Sequence, residues 1–150
     1  AVAGVAILAV YAAALGYAAT RPARPPTTQA VAAWLTANHL TSGIGAYWTA
    51  NITTVATSGR VEVRPVAVSC GRFAPYAWES EQSWYQPPDT ATFLLLALTS
   101  AAGANGNSAN ATAQFGAAQR TVRIGDYEVM VWNHDLLRAL GSGCGPPSSR

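Results

Sequence analysis

The residues of this chain best suited to chemistry are aromatic rings set among carboxylates. Between Cys70 and Asp89 stand Phe73, Tyr76, Trp78, Trp84 and Tyr85, with Glu79 and Glu81 among them. Rings cover the apolar face of a sugar, and carboxylates accept its hydroxyl protons. Trp78, Glu79, Glu81 and Trp84 are therefore candidate sugar-binding residues. Hydrolysis would need two carboxylates at a set separation. A spacing of two residues in sequence does not establish one, so no catalytic residue is assigned. The other reading of this segment is a loop packed on a sheet or resting on a membrane surface. A second pair of rings, Tyr47 and Trp48, follows Gly43-Ile44-Gly45-Ala46 at an expected strand-to-helix junction. In an open α/β sheet, ligands gather beyond the carboxyl ends of the strands, and the first amides of a helix welcome an anion. Tyr47 and Trp48 are candidates to touch a sugar or a phosphate. The plainer reading packs both rings between helix and sheet.

Other chemistries find little support. The chain holds nine Arg and Lys residues in total, and all nine are Arg. Schiff-base, P-loop and kinase-type lysine chemistry is thereby excluded. The arginines are scattered and form no basic patch, so no nucleic-acid partner is expected. His39, His134, Cys70 and Cys144 do not match the close ligand pairs of a zinc site, and neither a metal nor a cofactor is assigned. Ser, His and Asp occur without a Gly-x-Ser-x-Gly elbow. Gly43-Ile44-Gly45 is too short for a dinucleotide fingerprint. The even pair Cys70 and Cys144 is a candidate disulfide if the domain lies outside the cytoplasm.

The elements that must position these residues follow from patterning. Thr27 or Thr28 caps a helix to about Asn38, with Val31, Trp34 and Leu35 on one face. Residues 40–46 suit a brief strand. Residues 47–58 suit a helix ended by Gly59 at the C′ position. Residues 60–69 alternate as a strand, with Val61 and Val63 in one register and Glu62 and Arg64 in the other, and Pro65 suggests an edge or a bend. Residues 92–99 form a continuous apolar run, the mark of a central buried strand. Residues 100–110 read as a loop and 111–118 as a short helix. Residues 121–124 and 127–132 are strands joined by Gly125-Asp126, and 135–140 add a helical turn. The fold class is α/β: an N-terminal transmembrane helix, then a small mixed-sheet domain with helices packed against it.

Residues 1–20 carry no charge. Twenty helical residues reach about 30 Å, the thickness of a bilayer core. Gly4, Ala12 and Gly16 suit close packing with other helices, and Tyr17 suits an interface. A signal-peptide core and a buried helix are the alternatives. Arg21-Pro22-Ala23-Arg24-Pro25-Pro26 ends the helix and makes a stiff linker over 21–26. The globular domain then occupies 27–140, and 141–150 is a flexible tail. Only 11% of the chain is charged, against roughly 25% in ordinary soluble domains. Residue 1 is not Met, which fits a processed chain or a piece of a longer protein.

Three stretches carry a resemblance. They are Val31-Ala-Ala-Trp-Leu-Thr-Ala-Asn-His-Leu40, Gly43-Ile-Gly-Ala-Tyr-Trp-Thr-Ala-Asn51 with the Ser58-Gly-Arg-Val61 strand start, and Phe115-Gly116 leading to Arg120-Thr-Val-Arg-Ile-Gly-Asp-Tyr-Glu-Val-Met-Val-Trp132. Their order and spacing resemble the C-terminal extracytoplasmic domain of polytopic bacterial glycosyltransferases. These are GT-C enzymes of the dolichyl-phosphate-mannose mannosyltransferase-like family 39. The resemblance covers roughly residues 28–138. It implies that residues 1–20 are the last transmembrane helix of a parent enzyme that transfers sugar from a polyprenyl-phosphate donor to an acceptor. It also implies that the catalytic acid lies on an early loop outside this sequence. The chain departs from the pattern at Ala117, where the family commonly has Pro. The resemblance places the domain on the extracytoplasmic side of the cell membrane, whereas the two linker arginines taken alone favour the cytoplasmic side. The implied partners are the membrane bundle of the parent and a lipid-linked sugar or glycan acceptor. The domain would assist substrate access or stability rather than catalyse. The competing expectation is a single-span, membrane-anchored carbohydrate- or envelope-binding module.

Overall fold

The structure, a computed structural model, describes residues 2–20, 27–76, 78, 80–98 and 106–141. The first helix, α1, covers Val2–Thr20. The rest is α2 (Thr27–Ala37), β1 (Ser42–Gly45), α3 (Tyr47–Ala56), β2 (Glu62–Ser69), β3 (Arg72–Pro75), β4 (Phe93–Ala97), α4 (Ser108–Phe115), β5 (Arg120–Ile124) and β6 (Tyr127–Val131). Short 3-10 turns occupy Gln82–Tyr85 and Leu137–Ala139. The strands form one six-stranded mixed sheet in the order β3-β2-β1-β4-β6-β5. β1 runs parallel to both β2 and β4, while the β2–β3, β4–β6 and β5–β6 pairs are antiparallel. The expected α/β mixed sheet with helices against it is present.

Both faces of the sheet are covered. On one side Val31 and Leu35 of α2 and Ala50 of α3 pack on Val63, Phe93, Leu95 and Val129. On the other, Ala111 and Phe115 of α4 join Trp132, Leu136 and Leu137 over Ile44, Val66, Leu94 and Met130. Double cover explains the continuous apolar run of β4, because each face of a central strand needs apolar side chains.

It also bears on two residues of β2. Arg64 does not face water. It is 3% exposed, since its face of the sheet is covered too. Its Nη1 donates to Ser42 Oγ at 2.6 Å, and its Nη2 lies 3.3 Å from Glu62 and 3.1 Å from Asp89. Pro65 does not mark an edge, because β2 has a neighbour on each side. The Pro65 carbonyl accepts from Tyr76 N–H at 3.2 Å. The missing N–H therefore faces the β3 side just where β3 ends, and little pairing is lost there.

Helix ends differ from expectation by one to three residues. The N–H of Ser58 donates to Val55 O and that of Gly59 to Thr54 O, both at 2.9 Å. This is a Schellman ending with Ser58 (φ 54°) at C′ and Gly59 one place later. His39 (φ 56°) does the same for α2, with Leu40 N–H bonded to Leu35 O at 3.0 Å. α4 starts earlier than expected, because Asn107 caps it by accepting from Asn110 N–H at 2.9 Å.

Residues 1–20 were expected to span a membrane. The helix forms, but among the described residues no helix is long and apolar enough to cross a membrane. Nineteen residues reach roughly 28 Å, and Ala, Gly and Tyr make up much of that length. The linker 21–26 and tail residues 142–150 lie outside the described residues.

Candidate functional site

The site is built where β1 hands over to α3. β1 is Ser42-Gly43-Ile44-Gly45, and its two glycines are there for space. A Cβ on Gly43 would lie 2.3 Å from the Phe93 ring, and one on Gly45 would lie 3.1 Å from Leu95 O. Without those side chains the Phe93 ring lies across β1, and the two strands stay in register. The chain then turns at Ala46 (φ −62°, ψ 149°) and enters α3 at Tyr47. Ala46 supplies no side-chain acceptor to the first turn of the helix.

The connections on either side of β1 diverge. After β1 the chain crosses to β2 through α3, which packs on one face of the sheet. After β4 the next helix, α4, packs on the other face. The carboxyl ends of β1 and β4 thus flank a topological switch point.

A recess of about 230 Å³ lies on the other side of β1, against the end of β2. Its walls are the first turn of α3 (Tyr47, Trp48, Thr49) with Ala46, then Val66 and Ala67 of β2, and Tyr76 just beyond β3. The Tyr47 and Trp48 rings meet edge-on with centroids 5.2 Å apart at 77°. Tyr47 and Tyr76 lie 5.2 Å apart at 41°. Three rings therefore form one aromatic corner around the opening. Tyr47 is half-buried, but Trp48 is 73% exposed, so it does not serve as core packing between helix and sheet.

The other expected site residues fall elsewhere. Trp78 is exposed, Trp84 is half-buried in the turn Gln82–Tyr85, and Glu81 is exposed and accepts from Ser83 Oγ at 3.2 Å. None of these three lines the recess. Glu79 lies outside the described residues. Sequence reasoning named Tyr47 and Trp48 but left Tyr76 as one ring among several. The signal that would have found Tyr76 is the Cys70-Gly71 pair. Both residues have positive φ, 51° and 73°, between the paired Ser69 and Arg72. That is a two-residue type I′ hairpin turn, and it returns the chain along β2 to set Tyr76 beside Pro65.

The segment behind the recess is tied down by Tyr85. Its hydroxyl donates to the Pro65 carbonyl. Burial pushes the phenol above its ordinary pKa, against the opposing pull of Ser80, the Tyr76 backbone and Arg64. Asp135 closes the far side by accepting from Ala91 N–H and Leu137 N–H, each at 3.0 Å. Cys70 is disulfide-bonded. The other cysteine of the sequence, Cys144, lies outside the described residues.

Compared with known proteins, the chain matches no family model, no curated protein and no solved structure. The site must be read from its own geometry. Three rings around a shallow opening suit a flat ligand with an apolar face and a polar rim. A volume of about 230 Å³ falls below the roughly 300–1,000 Å³ of drug-sized pockets, so one ring-sized group fits rather than an extended chain.

Proposed function

We propose that this chain is a non-catalytic, sugar-recognising domain of a membrane glycosyltransferase that draws on a polyprenyl-phosphate donor. The observation that carries the reading is the aromatic corner of Tyr47, Trp48 and Tyr76 around the recess at the end of β1. A pyranose or furanose ring stacks one face on such a corner and leaves its hydroxyls to backbone groups at the start of α3.

Two further features support the membrane part. In α1 every residue from 7 to 17 is exposed, including Ile7, Leu8, Val10, Tyr11 and Leu15. A helix apolar on all sides needs a cover of lipid or of other helices. Its Ala- and Gly-rich sequence suits packing inside a helix bundle, where neighbours supply contacts that a lone span would lack. The disulfide at Cys70 fits an oxidising compartment, in keeping with an extracytoplasmic domain. The catalytic acid then belongs to another part of the parent enzyme.

The test is a titration of the full chain, held in detergent micelles, with methyl glycosides of mannose, glucose, galactose and arabinose. Tryptophan fluorescence and NMR shifts are the readouts. A monosaccharide of about twelve heavy atoms at about 0.3 kcal/mol each gives a Kd in the millimolar range. Tyr47→Ala and Trp48→Ala should each weaken binding about tenfold, the equivalent of the roughly 1.4 kcal/mol expected for a lost stacking partner. No saturable response to any glycoside, or an unchanged response in both variants, overturns the reading.

A further inference from the structure

α3 shows a second apolar face that the fold does not use. Ala50 and Thr53 face the sheet and are fully buried. Opposite them Trp48, Ile52 and Val55 are 73%, 48% and 77% exposed. The spacing i, i+4, i+7 puts these three on one stripe over two turns, pointing straight away from the sheet. Single exposed apolar residues need no explanation, but an ordered stripe of them does. Neither α3 nor α2, which packs beside it, holds a single charged residue. Arg60 and Arg120 stand at the margin of this layer, so charge borders the stripe without interrupting it.

We infer that this stripe docks on the surface of a lipid bilayer, with Trp48 at the level of the headgroups. The inference rests on the proposed membrane seat of α1. Thr20 ends α1 and Thr27 begins α2. Seven Cα steps of at most 3.6 Å allow a reach of roughly 25 Å. A lipid-seated α1 therefore keeps the α2–α3 layer within one short tether of the headgroups. Tryptophan is the side chain that bilayer interfaces favour, because its ring is apolar and its N–H stays wet. Ile52 and Val55 on the following turns then enter the boundary between headgroups and acyl chains, as the apolar faces of interfacial helices do. In this pose the recess beside Tyr47 opens along the headgroup layer, where the sugar of a lipid-linked donor is displayed.

The experiment reconstitutes the full chain in phosphatidylcholine–phosphatidylglycerol vesicles whose acyl chains are brominated near the headgroup. The emission lost on changing Trp48→Phe reports Trp48 alone. Docking predicts that bromine removes about half or more of that share, the depth expected of an interfacial helix. In an Ile52→Asn/Val55→Asn double variant the Trp48 share should lose its quenching while the chain still floats with the vesicles. Both positions are exposed, so circular dichroism should match the parent. If that variant misfolds, the Trp48→Phe comparison alone decides. A chain that floats with Trp48 unquenched overturns the docking and leaves the seat of α1 intact. The same result with cross-linking between α3 helices assigns the stripe to a second copy of the chain instead. A chain that stays in the supernatant overturns both readings.

Discussion

Tyr85 links chemistry to stability at the scale of one side chain. Its phenol is pushed above the ordinary value of 10.0 chiefly by burial. The folded state therefore holds that proton more tightly than the unfolded chain does. Between the two pKa values the native form binds more protons, so stability falls as pH rises. The contribution is complete below about pH 10 and is lost as pH climbs from there toward the folded value. Tyr85→Phe should cost about 1 kcal/mol at neutral pH, the worth of one hydrogen bond to a carbonyl that keeps Tyr76 N–H as a second donor. The gap between variant and parent should then shrink above about pH 10. Urea unfolding from pH 7 to 11 measures it, and a gap that stays constant rules the account out. Single residues also show where sequence reading fails. Alternation along β2 correctly separated Val61 and Val63 from Glu62 and Arg64. It could not tell whether the second face meets water, so the burial of Arg64 beneath Asp89 and Ser42 was invisible. Tyr47 and Trp48 were legible because glycines, a turn and two rings fall in consecutive positions. Tyr76 was not, because its place beside Tyr47 depends on the β2–β3 hairpin that turns at Cys70-Gly71.

At the scale of elements, the weak point of the sheet is the edge strand β3. Its free side is a ready template for another strand. Its cover centres on Phe73, whose carbonyl accepts from Gly141 N–H at 3.0 Å. Gln114 of α4 accepts from Phe73 N–H at 2.6 Å and donates to Phe73 O at 2.9 Å and to Ala139 O at 2.8 Å. It stands in for a neighbouring strand at one residue. Gln114→Ala leaves the Phe73 amide without its acceptor and should cost about 1–3 kcal/mol. Hydrogen exchange at Phe73 should quicken beyond the change in global stability. Unaltered protection of that amide would show that Gln114 does not guard the edge. Neither β3 nor this bond was legible in the sequence. Arg72-Phe73-Ala74-Pro75 is short and ends in Pro, and Asn107-Ser108 read as loop because those residues suit loops and helix caps alike. The longer elements were legible, with ends shifted by a few residues, because their periodicity outweighs single breakers such as Pro65.

At the scale of the molecule, two parts obey different rules. The domain from α2 onward hides its apolar groups on both faces of a sheet, whereas α1 hides none between residues 7 and 17. The stability of the domain owes nothing to those side chains, and the association of the whole chain with lipid should depend on them. Leu8→Arg and Leu15→Arg separate the two. The side chains lie two turns apart in the helix and both are exposed. A charge near the centre of a membrane helix costs about 2.5–3.5 kcal/mol on insertion scales, and one near an end costs less because arginine reaches the interface. Both positions lie well inside α1, so Leu8→Arg and Leu15→Arg should each lower the vesicle partition coefficient by up to about a hundredfold. Unfolding of the α/β domain, followed by Trp132 in its core, should keep the same midpoint in both variants. Equal binding by parent and Leu8→Arg would mean that lipid does not cover α1. A shifted midpoint would mean that α1 packs against the domain in solution, so that its exposed face is covered from within the chain. Retained domain stability with lost vesicle binding would tie α1 to the membrane and show that the α/β domain folds independently of it.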